Sequence, residues 1–88
     1  MPRFVEEEVR KRAREPSESG DIVLLIGYDG RQETIERLMT QVGGEVLETL
    51  PFSTLTASVP ETAIQRILEH PEIETVELDE GMETLQGN

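Results

Sequence analysis

The side chains from which an active site could be built are few and scattered. The chain has one histidine, His70, and no cysteine, and it contains no nucleophile-elbow motif and no glycine-rich phosphate loop. Gly27-Tyr28-Asp29-Gly30 sets two glycines ahead of a helical pattern, but the aspartate between them would repel a phosphate. That segment reads as a turn and helix cap. His70 falls in the last turn of an expected helix, just before Pro71, where its cationic form suits the helix dipole. Glu72, Glu74, Glu77, Asp79, Glu80 and Glu83 could together draw a hard cation, yet their spacing is not that of a calcium loop. A solvated acidic edge, with no metal, no cofactor and no enzymatic activity, is the expectation.

The elements that carry these groups follow from apolar periodicity. Ile22-Val23-Leu24-Leu25-Ile26, bounded by Asp21 and Gly27, predicts a central strand with apolar groups on both faces. Asp29 and Gln32 have capping-box spacing, and Ile35, Leu38, Met39 and Val42 recur at helical intervals until Gly43-Gly44. Val46 to Leu50 and Thr54 to Val59 predict two strands joined around Pro51-Phe52-Ser53. In the second, Leu55, Ala57 and Val59 alternate with Thr54, Thr56 and Ser58. Pro60 suits the first turn of a helix whose Ala63, Ile64, Ile67 and Leu68 face inward, with Pro71 ending it. Ile73 to Leu78 predicts the last strand. The order βαββαβ specifies an α+β, ferredoxin-like fold, a four-stranded antiparallel sheet with two helices on one face.

Ahead of this unit, Glu6, Glu7 and Glu8 stand four positions before Arg10, Lys11 and Arg12, the favourable sense for helical ion pairs. Val5, Val9 and Ala13 make a stripe too thin to hold a short helix unaided. Residues 1–20 are therefore expected to be a charged arm and linker, 21–80 the packed domain, and 81–88 an extended tail. A small core without disulfides leaves little net stability, roughly 3–5 kcal/mol.

The formal charge is −11 over 88 residues. Residues 1–20 balance, so the excess belongs to the domain and tail. Such a surface repels phosphate backbones and anionic lipid, which argues against nucleic-acid and membrane partners. No apolar run is long enough for a membrane span, and the N-terminus lacks the apolar stretch of a secretory signal. A cytoplasmic protein is the expectation.

Gly43-Gly44-Glu45-Val46, the Phe52–Ile64 segment and Val76-Glu77-Leu78-Asp79, in that order, resemble the subtilisin propeptide-like family, peptidase inhibitor I9. The resemblance covers about residues 21–80. It implies a binder of a subtilisin-like serine protease, with the outer sheet face laid on two enzyme helices and Glu77 and Asp79 meeting the positive N-terminal ends of those helices. It further implies that Met82, Glu83, Thr84 and Leu85 lie in the substrate cleft, with Leu85 at P1, Thr84 at P2 and Met82 at P4. Gln86-Gly87-Asn88 continue past that point and no protease domain follows. A stand-alone inhibitor, a trans-acting folding chaperone, or both is the expectation.

If Val23, Leu25, Leu55, Ala57 and Val59 face the helices, the binding face consists of Ile22, Leu24, Ile26, Thr54, Thr56 and Ser58. A one-residue slip in the first strand would exchange its two apolar sets. The other reading of the same architecture is a small interaction or regulatory module that forms a homodimer through its sheet or its N-terminal arm.

Overall fold

The computed structural model describes residues 2–79. It is an α+β fold of three helices on a five-stranded mixed sheet. In chain order the elements are β1 (Phe4–Val5), α1 (Glu7–Arg14), β2 (Asp21–Tyr28), α2 (Gln32–Gln41), β3 (Glu45–Leu50), β4 (Thr54–Pro60), a 3-10 turn (Glu61–Ala63), α3 (Ile64–Leu68) and β5 (Ile73–Leu78). The sheet order is β1-β5-β2-β4-β3. All neighbours are antiparallel except β1 and β5, which run parallel.

The four expected strands and two expected helices are present in the expected order, and the sheet differs from a four-stranded antiparallel one by β1. That strand comes from the segment expected to be a charged arm. Val5 pairs with Val76 and is buried. In α1, Val9 is wholly buried, and Ala13 packs against the same core. The thin stripe is insufficient for a free helix, and docking supplies what propensity does not.

Long-range bonds hold α1 in place. Glu6 accepts a hydrogen bond from the Leu78 backbone N–H at 2.9 Å instead of pairing with Arg10. Arg12 donates to Glu8 at 3.0 Å and to Glu61 at 3.2 Å, and Glu61 also accepts the Ser17 backbone N–H at 2.9 Å. The Glu8 hydrogen bond, helped by the charge of Glu61, raises the Arg12 pKa above its ordinary value against the opposing effect of burial. Glu61 is itself buried, so its charge is compensated by the arm it holds.

Helix boundaries depart from expectation in two places. Asp29 does not cap α2: the helix starts one residue after Arg31, and Gln32 donates to Glu36 at 2.9 Å. Pro60 ends β4, and the 3-10 turn separates it from α3. The Gly43-Gly44 stop is as expected. Gly43 has φ +85, and Gly44 leaves no room for a Cβ, which would lie 2.6 Å from Val59 and 2.8 Å from the Ser58 carbonyl.

The core corrects one expectation directly. Ile22, Leu24 and Ile26 are buried and pair across the sheet with Val59, Ala57 and Leu55. They face the helices, and Val23 and Leu25 face away. The reason lies in the full length of β2: Asp21 and Gly27 share parity with Val23 and Leu25, whereas Tyr28 shares it with Ile22, Leu24 and Ile26. Placing the other set inward would bury a carboxylate and leave a hole at glycine.

Candidate functional interface

All three helices pack into one core with the inward side chains of the sheet. No described element covers the opposite face. Asp21, paired with Pro60, stands at its margin, and inward of that pair its composition follows from the register in three rows across the strands. At one end, Glu45, Ser58, Val23 and Asp79 align, the last through its backbone N–H donating to the Val23 carbonyl at 3.0 Å. The middle row is Glu48, Thr56, Leu25 and Glu77. The far row is Leu50, Thr54, Gly27, Thr75 and Phe4.

These rows grade from charged to apolar. Four carboxylates stand on the first two, and none stands on the third. Val23 and Leu25 form an aliphatic centre flanked by the small side chains of β4, and Thr56 is buried between its neighbours. Thr54, Thr56 and Ser58 therefore occupy the uncovered face, while Ile22, Leu24 and Ile26 do not. Glu77 and Asp79 share that face, at the end where the chain leaves β5. Met82, Glu83, Thr84 and Leu85 lie outside the described residues.

The third row ends beside the β3–β4 turn, which sequence reasoning treated only as a connection. Phe52 at its tip is 96% exposed, and it has φ +64, followed by Ser53 at +54. A left-handed backbone costs a residue bearing a Cβ roughly 1–2 kcal/mol. The turn is nonetheless pinned: Tyr28 N–H donates to the Ser53 carbonyl at 3.0 Å, and the Thr54 hydroxyl donates to the Phe52 carbonyl at 3.1 Å. Phe52, Thr54, Gly27 and Thr75 help line a shallow depression of about 220 Å³.

On the other side of the molecule, a groove of about 340 Å³ is lined by Pro2, Val5, Arg10, Gln65, Leu68 and Glu69. It holds no nucleophile. His70 is turned to a structural task, its Nδ1 accepting the Glu72 backbone N–H at 3.1 Å.

Residues 5–79 match the family described as Putative peptidase inhibitor domain. The chain belongs to this family. No curated protein matches it. Membership implies a peptidase partner for the chain and points to a non-catalytic role. The matched span begins at Val5 and takes in α1, in keeping with the packing of that helix into the core.

Proposed function

We propose that this chain inhibits a subtilisin-type serine protease, and assists its folding in trans, by laying the uncovered sheet face on two helices of the enzyme while residues 82–85 enter the substrate cleft. The inner six elements, β2 to β5 with α2 and α3, then act as a ferredoxin-like platform. The observation that carries this reading is the placement of Glu77 and Asp79 on β5 and of Glu45 and Glu48 on β3, on either side of the aliphatic Val23 and Leu25 in the first two rows of the uncovered face. Carboxylates are attracted to the unpaired N–H groups of a helix N-terminus. Val23 and Leu25 supply burial, and Thr56 and Ser58 are slim enough to let a foreign helix approach.

Inhibition and chaperoning need no separate surfaces, because a ligand that binds only the native enzyme stabilises it. An extended tail reaching the cleft would bind by main-chain pairing, with alternate side chains in pockets. The test is titration of a purified subtilisin, on a peptide substrate, with the intact chain and with a variant lacking residues 81–88. The reading predicts stoichiometric loss of activity with the intact chain and a large loss of potency on truncation. Full activity in excess intact chain would refute it.

A further inference from the structure

We infer that Phe52 is an anchor of the peptidase contact, seated in an apolar recess of the enzyme at the end of the footprint away from the cleft. This rests on the reading above and extends it to a residue that neither the sheet face nor the tail contains.

The protein has three aromatic side chains, Phe4, Tyr28 and Phe52. Its core is built from Val, Ile, Leu, Ala and Met with Tyr28, and both phenylalanines lie outside it, Phe4 half-exposed and Phe52 almost fully exposed. Phe4 stands in the last row of the uncovered face, and Phe52 lies in the turn just beyond that row. Phe4 pairs with Thr75, and Thr75 and Phe52 line the same depression. Phe52 also occupies a backbone conformation that glycine or asparagine would adopt more easily, so neither burial nor local geometry accounts for a bulky aromatic there.

The hydrogen bonds from Tyr28 and Thr54 fix the turn, so the ring is presented on a rigid support. A preorganised aromatic loses little freedom on binding, and aromatic anchors dominate interface energetics. Charge selects the kind of surface it meets. The acids of the first two rows call for positive potential, whereas at the Phe52 end the exposed Arg3 and Glu74 side chains approach each other at 3.7 Å and offset one another. An apolar recess flanking the enzyme's positive helix ends complements that gradient. Because the tail leaves β5 beside the acids, Phe52 touches the enzyme far from its cleft.

The experiment compares Phe52→Gly with the parent chain, measuring inhibition of a purified subtilisin and binding to the same enzyme with its cleft blocked by a covalent peptidyl inhibitor. Glycine suits φ +64, so the melting temperature should hold or rise while affinity falls about 30-fold in both assays. Parent-like affinity for both enzyme forms would overturn the anchor and leave the inhibitor reading standing. A parent chain that does not inhibit at all would overturn both. A loss seen only with the open cleft would also overturn it, since a remote contact does not depend on the cleft.

Discussion

Leu24 and Leu25 are neighbours in sequence and opposites in the molecule. Leu24 is wholly buried against the helices, and Leu25 lies half-buried in the middle of the uncovered face. Leu24→Ala should therefore cost about 2–5 kcal/mol, and Leu25→Ala about 1 kcal/mol, read from urea denaturation midpoints. Equal losses would contradict the parity. That parity was legible in part: the β4 alternation correctly placed Leu55, Ala57 and Val59 inward and Thr54, Thr56 and Ser58 outward. In β2 the five apolar residues could not decide it alone, and the deciding signal was Asp21 and Gly27, one step beyond them. Phe52 was not legible as a feature, because neither a positive φ nor exposure at a turn tip is coded by periodicity.

At the scale of elements, the N-terminal segment departs most from what the sequence suggested. The Val5-Val9-Ala13 stripe was visible, but whether it docks depends on groups distant in the chain. Glu61 lies 49 residues from Arg12, and Leu78 lies 72 from Glu6. Local patterning carries no information about such pairs. If α1 is integral, Val9→Ala removes two buried methyl groups and costs about 1.6 kcal/mol, measurable as a lower urea midpoint. An unchanged midpoint would mean that α1 is detached in solution. Glu61→Gln should weaken the clamp on Arg12 and Ser17 and speed proteolysis after Arg14, without changing the far-UV spectrum. The edge strand β3 carries its own protection against unwanted pairing, with Glu45 and Glu48 on it and an extra residue, Leu47, bulged out between Val46 and Glu48.

For the whole molecule, a net charge of −11 on 88 residues opposes compaction. Salt shortens the Debye length from about 10 Å at 0.1 M to about 3 Å at 1 M. Added sodium chloride should therefore raise the melting temperature followed by circular dichroism, and a salt-independent melt would contradict that account. The same charge bears on self-association through the uncovered face, since its carboxylates would be brought near one another in a second copy. Light scattering should report a monomer, whereas a stable dimer would favour the interaction-module reading. Contact between the uncovered face and the peptidase is the central proposal. Its most direct test is the inhibition constant of Leu25→Arg against a purified subtilisin, with the fold checked by circular dichroism. An arginine at this position removes aliphatic burial from the centre of the contact and draws its neighbour Glu77 away from the enzyme, so inhibition should weaken by about 100-fold or more, and a folded Leu25→Arg variant that inhibits as well as the parent would contradict the account.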